Sequence, residues 1–397
     1  MSLKSLIKSR YSIAIVCKVV SILTTFLATV FINRALGVSL KGEYTYILRI
    51  VDMLYIACGF GLGQTYAIYK RRALSGAKSI FGELILIHAA LIGFIGVILT
   101  IVFHIEYGYA IFLITACSVM HNNISMIAVI EDSVKRNLLV TCFNIVYLVS
   151  LALIYYLRIE NLNLMLIVYG VNELVIAIMS MIVFKIKLVP RLINKSDLIE
   201  IYRNGFLTMV VLFLISVNYS IDVVMLRHLS TSYYVGLYSV AVTFSNMFLV
   251  IPDALKELMF GNAAKKNFQK DVNKSFAISF AISLIIFIGF SLLGKFFIGF
   301  LYGDDYIPAY MLTLVIFIGS LSMIFFKILH PVYIAHEKQV RLSVILTISA
   351  VTNIVLNVFL IQAYDGLGAS IASAISYTVC GIIILIDYHR MLHSKVI

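Results

Sequence analysis

The chain is a succession of long apolar segments separated by short polar ones. A helix that crosses a bilayer needs roughly 20 apolar residues, and twelve runs approach or reach that length. They lie near residues 12–32, 44–67, 81–103, 109–130, 138–157, 164–184, 205–225, 235–251, 275–294, 309–329, 342–362 and 367–386. The runs are continuous and do not alternate every second residue, which favours helices over a β-barrel. The pattern predicts an all-α polytopic membrane protein with about twelve transmembrane helices.

Composition supports lipid as the surrounding solvent. Hydrophobic residues make up 62% of the 397 residues and charged residues 13%, and a water-soluble fold cannot bury that much apolar surface in one core. The formal charge of +12 does not indicate a nucleic-acid partner, because the basic residues are not concentrated on a soluble face. All five cysteines fall within predicted spans, so the sequence indicates no disulfide, metal site or cofactor.

The distribution of basic residues predicts the orientation. With the N-terminus inside, the inner segments carry 23 Lys and Arg residues and the outer loops carry five. Basic residues accumulate on the cytoplasmic side of membrane proteins, so we expect both termini to be cytoplasmic. The longest polar break, Lys185 to Asn204, divides the spans six and six. We therefore expect an N-terminal lobe of residues 1–190 and a C-terminal lobe of residues 191–397.

An internal repeat supports this division. The ends of the first and seventh spans are followed by similar motifs: Arg34 to Leu36 with Gly42 to Tyr44, and Arg227 to Leu229 with Gly236 to Tyr238. Three residues after the fourth span match three after the tenth at one constant offset: Glu131, Val134 and Lys135 with Glu337, Val340 and Arg341. Repeats of six spans have the same orientation in the membrane. The repeat predicts two six-helix lobes around a central cleft that opens alternately to either side.

Several blocks at the ends of spans carry a family resemblance. They are Asn33 to Gly37, Gly42 to Tyr44, Gly59 to Gly63, Asp222 to Leu226, Val235 to Ala241, Leu301 to Tyr306, Asn353 to Gln362 and Gly366 to Ser373. Over nearly the whole chain they resemble the Wzx-type polysaccharide flippases of the multidrug, oligosaccharidyl-lipid and polysaccharide exporter superfamily. In the outer turn between the last two helices, Gln362 and Asp365 depart from the proline and glycine that such proteins often carry.

That resemblance implies a MATE-like fold in the bacterial cytoplasmic (inner) membrane. It also implies a flippase that moves undecaprenyl-pyrophosphate-linked oligosaccharide to the periplasmic leaflet, for O-antigen (lipopolysaccharide) or capsule assembly. A polysaccharide polymerase and a chain-length regulator are the implied protein partners, beside membrane lipids. The glycines at 59, 61 and 63 follow no strand, so they predict close helix packing and not a nucleotide-binding loop.

Cationic residues inside the spans are candidates for binding the cargo. An ionisable group in the bilayer costs about 2.5–3.5 kcal/mol, so the residues that remain there usually face a cavity or a partner. A lipid pyrophosphate needs cations to replace its lost hydration. The candidates are Arg49, Lys18 and Lys327, then His121 at the repeat position of Lys327, and Arg34 and Arg227 near the outer mouth of the cleft. Snorkelling of the lysines and anchoring of the outer arginines at helix ends are the alternatives.

Three carboxylates inside the spans are candidates for coupling transport to a proton or a sodium ion. They are Glu173, Asp222 and Asp52, and a buried carboxylate can exchange a proton near neutral pH. Pairing with a neighbouring cation is the alternative. Arg49 and Asp52 are three residues apart, so they share a helix face and can form an intrahelical ion pair.

The sequence thus predicts a flippase that makes and breaks no covalent bond and works by alternating access. A drug or cation antiporter of the same superfamily is the alternative, and such a protein would depend more on carboxylates than on cations. A membrane-embedded polysaccharide polymerase or glycosyltransferase would need a large outward domain. The longest predicted outer loop is only about residues 295–308, which argues against an enzyme.

Overall fold

The computed structural model describes residues 10–72, 74, 76–188, 194–262 and 268–394, and that part of the chain contains no strand. Its helices are α1 (Arg10–Gly59), α2 (Leu62–Arg71), α3 (Ala77–Phe103), α4 (Gly108–Tyr156), α5 (Leu162–Val183), α6 (Lys195–Leu229), α7 (Ser232–Phe248), α8 (Val250–Asn262), α9 (Phe268–Tyr302), a 3-10 turn (Asp304–Tyr306), α10 (Ala309–Ala335) and α11 (Gln339–His393). The all-α prediction is confirmed.

The described helices have the length and surface of a multi-pass membrane protein. Eight helical segments are long and apolar enough to cross a bilayer, or nine if the bent pair α7 and α8 counts as one span. Large apolar side chains lie on the surface, including Leu292 at 78% and Phe94 at 69% exposure. Such a surface is stable in lipid and would promote aggregation in water.

Three of the helices are too long for one crossing, and each contains a residue with non-helical backbone angles. A straight helix of about 50 residues would be roughly 75 Å long, more than twice the hydrocarbon thickness. The breaks lie at Gly37 in α1, Asp132 in α4 and Asp365 in α11. At Gly37 the φ angle is 66°, a value that glycine adopts without strain.

Two of these helices fold back on themselves. In α11, Ser349 Oγ donates a hydrogen bond to the carbonyl of Ser376 at 3.1 Å, so residues on opposite sides of Asp365 are neighbours. In α4, Arg136 Nε donates to Ser125 Oγ at 2.6 Å across the break. Both helices are therefore hairpins of two arms. The total of twelve spans also requires α1 to cross twice, and it stays a prediction, as does the cytoplasmic location of the termini.

The chain packs into two compact units. The first is Met1–Leu36 with Ile47–Ser216, and the second is Gly37–Tyr46 with Val217–Ile397. A core of Leu62, Phe81, Ile85, Ile124 and Ile127 stabilises the first unit. The largest side chains buried in the second are Tyr238, Tyr306, Tyr333, Phe248 and Phe317. The predicted lobe boundary at residues 190 and 191 lies outside the described residues.

The repeated motif forms a close helix crossing in the second unit. A Cβ atom on Gly42 of α1 would lie 1.8 Å from the carbonyl oxygen of Ser232, and one on Gly236 of α7 would lie 2.0 Å from that of Val38. Only glycine permits such an approach of two helix backbones. The two copies of the motif thus pack against each other.

The predicted packing role of the glycine triplet is confirmed, with one correction. The triplet does not lie in a continuous helix, because the chain breaks between α1 and α2 at Phe60 (φ 52°) and Gly61 (φ 60°). A Cβ atom on Gly61 would lie 2.8 Å from the carbonyl oxygen of Gly205 in α6. The backbone N–H of Gly63 donates to Asn123 Oδ1 at 2.8 Å. The break therefore packs on both α4 and α6.

Candidate functional site

The first unit holds a polar cluster within the predicted spans, which we call the Glu173 cluster: Arg49, Asp52, Ser118, His121 and Glu173. Arg49 Nη1 lies 3.1 Å from Asp52 Oδ2. His121 Nδ1 lies 2.9 Å from Glu173 Oε1, and Ser118 Oγ donates to Glu173 Oε2 at 3.1 Å. Both carboxylate oxygens of Glu173 are therefore in contact with a polar neighbour, and the ion pair predicted from the Arg49 spacing forms.

Three helices position these side chains. Arg49 and Asp52 lie three residues apart on α1, Ser118 and His121 three residues apart on the first arm of α4, and Glu173 on α5. Residues at this spacing share a helix face, so α1 and α4 each present a pair to the cluster, and α5 presents Glu173. Glu173 is 7% exposed and interacts electrostatically with Asp52.

The second unit holds another polar cluster, which we call the Lys327 cluster: Lys327, Asp253, Lys256, His330 and Tyr219. Lys327 Nζ lies 2.8 Å from Asp253 Oδ1 and 5.8 Å from the centre of the Tyr219 ring. The Lys327 side chain is 13% exposed and that of Asp253 is 43% exposed. Lys256 and Lys327 both act electrostatically on His330. With two lysines and one carboxylate, this cluster is net positive.

Sequence reasoning missed Asp253. It lies in the first turn of α8, just beyond the predicted eighth span at residues 235–251. Its spacing of three residues from Lys256 places both on one helix face, and that spacing was the available signal. The predicted equivalence of His121 and Lys327 has a structural parallel, since each contacts a carboxylate within its own unit.

Asp222 lies in a network that links three helices of the second unit. It is 2% exposed. The Tyr238 hydroxyl donates to Asp222 Oδ2, and Ser373 Oγ donates to the same oxygen at 3.1 Å. These contacts join α6, α7 and α11. They favour a structural role for Asp222 over the predicted role in ion coupling.

The two outer arginines have different surroundings. Arg34 Nη1 lies 3.4 Å from the Tyr155 hydroxyl at an exposed position of the first unit. Arg227 Nε lies 2.8 Å from Glu43 Oε1, and the Ser232 hydroxyl donates to that oxygen as well. Arg227 thus joins α6 to α1 and α7, as the predicted anchoring alternative requires.

The Lys18 side chain lies outside the described part of the chain. Among the residues that the structure describes, no group of three or more His, Cys, Asp or Glu residues could hold a metal ion.

No protein-family model matches the sequence, and no curated protein matches it. Solved structures do match. The lipid II flippase MurJ in an inward closed conformation has a TM-score of 0.75 at 14% identity, over 94% of this chain and 87% of that chain. An inward-facing multidrug resistance MATE family transporter of the MOP superfamily has a TM-score of 0.70 at 13% identity, over 96% and 98%. A MOP superfamily transporter from Pyrococcus furiosus has a TM-score of 0.63 at 14% identity, over 97% and 94%.

These likenesses define the class of fold. The chain has the fold shared by MATE transporters and the flippase MurJ, and the predicted MATE-like fold is confirmed. At such low identity the likeness concerns the fold alone and does not identify the cargo.

Proposed function

We propose that the protein is a flippase that moves undecaprenyl-pyrophosphate-linked oligosaccharide across the bacterial inner membrane by alternating access. The observation that carries the proposal is the position of Arg49. Its side chain is 30% exposed although it lies within an apolar span. An exposed guanidinium at membrane depth is too costly to face acyl chains. We therefore expect Arg49 to face a hydrated path or a ligand.

The chemistry of Arg49 suits a pyrophosphate. A guanidinium carries five N–H donors in a planar fork that matches phosphate oxygens. Among the described residues, Asp52 occupies one of these donors, through Nη1 at 3.1 Å. Asp52 thus holds the guanidinium in place and leaves the other donors for a ligand. The net positive Lys327 cluster supplies a second region that favours an anion.

Two further observations support a lipid-linked cargo. The fold is similar to that of a protein named as a lipid II flippase, with a TM-score of 0.75. The sequence blocks from Asn33 to Ser373 resemble the Wzx-type flippases. The O-antigen or capsular repeat unit as cargo, and a polymerase and a chain-length regulator as partners, belong to the same proposal.

The Glu173 cluster is the proposed site of ion coupling. Glu173 contacts both an imidazole and a hydroxyl, so loss of a proton from the pair changes the charge next to Asp52 and Arg49. Such a change alters how strongly Arg49 is held by Asp52, which couples a proton to the affinity for an anionic cargo. All of these residues lie in the first unit.

A drug or cation antiporter is the second candidate, and one observation favours it. Within the Glu173 cluster the two carboxylates, Asp52 and Glu173, outnumber the one permanent cation, Arg49. When His121 is neutral and both carboxylates are ionised, that cluster is net negative and would attract a cationic cargo.

Reconstitution of the full chain in liposomes distinguishes the two functions. A fluorescent polyprenyl-pyrophosphate disaccharide is placed in both leaflets, and a membrane-impermeant reductant quenches only the outer one. A flippase makes the whole fluorescent pool accessible, faster than in protein-free liposomes, and gives no uptake of a cationic dye under a pH gradient. Dye uptake driven by the gradient, with no gain in lipid accessibility, would replace the flippase proposal with the antiporter.

A further inference from the structure

The two arms of α11 enclose a groove on the surface of the second unit. Its volume is about 360 Å³, and its apolar walls are Val340, Val344 and Ile348 on the first arm and Ile383 and Ile386 on the second. The spacing of the first three residues places them on one helix face, so the groove is roughly 12 Å long. Val340 is 79% exposed and Val344 is 54% exposed, so the groove is open to the surroundings of the protein.

One end of the groove is charged. Arg341, Asp387 and Arg390 also line the groove, beside Ile345. Arg341 Nη1 lies 2.8 Å from Asp387 Oδ1, and the Tyr333 hydroxyl donates to Asp387 Oδ2 at 2.9 Å. Asp387 therefore fixes Arg341 in position. The Arg390 side chain is exposed, and no ion pair or hydrogen bond ties its guanidinium to another described residue. Two cations against one carboxylate give this end a net positive charge.

We infer that the groove binds an anionic phospholipid, with an acyl chain along the apolar walls and the phosphodiester against Arg341 and Arg390. Basic pockets between helices at a membrane surface bind anionic headgroups, and each cation near the surface contributes about 1 kcal/mol. The order of groups along the groove, apolar and then cationic, is the order of groups along such a lipid. No other described residue holds the Arg390 guanidinium, and Asp387 orients Arg341, so both can meet one phosphate.

Native mass spectrometry of the purified full chain tests this inference. The protein is mixed with dioleoyl phosphatidylglycerol or dioleoyl phosphatidylcholine in a neutral detergent, and the fraction that retains one lipid is measured. The two lipids have the same acyl chains, so their difference reports the headgroup charge. We expect phosphatidylglycerol to be retained preferentially. Arg390→Gln should weaken its retention about fivefold, the equivalent of one cation contact.

The matched control is Arg203→Gln. Arg203 is an exposed arginine on α6 in the first unit, outside the groove, and its replacement should leave retention unchanged. Val344→Phe, which fills the groove without changing charge, should weaken retention of phosphatidylglycerol as well, and it serves if Arg390→Gln is not monodisperse. Three results would each overturn the site. The first is equal retention of the two lipids by the native protein, and the second is an equal loss of phosphatidylglycerol in the two arginine variants. The third is full retention of phosphatidylglycerol by Val344→Phe. None of these readouts depends on flippase activity.

Discussion

Replacement of Gly42 by alanine tests how tightly the repeated motif packs. The new Cβ atom would lie 1.8 Å from the carbonyl oxygen of Ser232, 2.7 Å from its carbon and 3.0 Å from the nitrogen of Gly236. A carbon and a carbonyl oxygen at a helix interface approach to about 3.3 Å. Helices α1 and α7 must therefore separate by roughly 1.5 Å in the Gly42→Ala protein. The obstructing atoms belong to the backbone, so no side chain can rotate away.

The expected loss of stability follows from two opposing effects. Overpacking of a close contact costs about 1–3 kcal/mol, or more where backbones must move. Alanine gains about 1 kcal/mol over glycine in helix propensity. Because the clash is severe, we expect a net loss of about 2 kcal/mol. For a unit of this size that corresponds to a fall in melting temperature of roughly 4–8 °C.

Thermal unfolding of the purified protein in detergent measures this fall, and Gly289→Ala is the matched control. Gly289 lies inside α9, and a Cβ atom there would meet nothing within 4 Å. The control should unfold at the native temperature or slightly above it, since only helix propensity changes. Equal melting temperatures for the two alanine variants would refute the close crossing of α1 and α7.

Two further substitutions probe the polar clusters, with transport in liposomes as the readout. Lys327→Met should lower the flipping rate roughly tenfold or more, because a hydrogen bond to a charged group contributes about 1.5–3 kcal/mol. Lys327→Arg should keep part of the rate, since a cation remains. Equal flipping rates in the two variants would show that Lys327 does not lie in the cargo path. Glu173→Gln should abolish the effect of an imposed pH gradient while exchange without a gradient persists, because glutamine still accepts the Ser118 hydrogen bond but releases no proton. A gradient effect of native size in that variant would exclude Glu173 from coupling.

Local sequence rules account for part of the molecule. Continuous apolar runs identified an all-α membrane protein, because backbone polar groups in lipid must be satisfied within the helix. The spacing of Arg49 and Asp52 predicted their ion pair, because it depends only on helix geometry. The packing of Gly61 and Gly63 was also predicted, although the break at Phe60 was not.

The sequence did not predict contacts between distant segments of the chain. Lys327 and Asp253 are 74 residues apart, and no periodicity indicates which way either helix is rotated. The sequence predicted His121 as a cargo-binding residue and Glu173 as an ion-coupling residue. Their contact was not predicted, because it depends on how α4 packs against α5. Hydropathy indicates which segments lie in lipid, but it does not indicate how each helix is rotated about its axis.

The flipping rate of Arg49 variants tests the central claim most directly. In liposomes that carry the fluorescent polyprenyl-pyrophosphate disaccharide, Arg49→Ala should lower the rate roughly 10- to 100-fold, the equivalent of one lost charge-assisted hydrogen bond. Arg49→Lys should keep a measurable part of it, since a cation remains, and Arg203→Ala should match the native protein. Full rates in both Arg49 variants, at native levels of folded protein, would contradict the claim that this guanidinium binds the phosphorylated carrier.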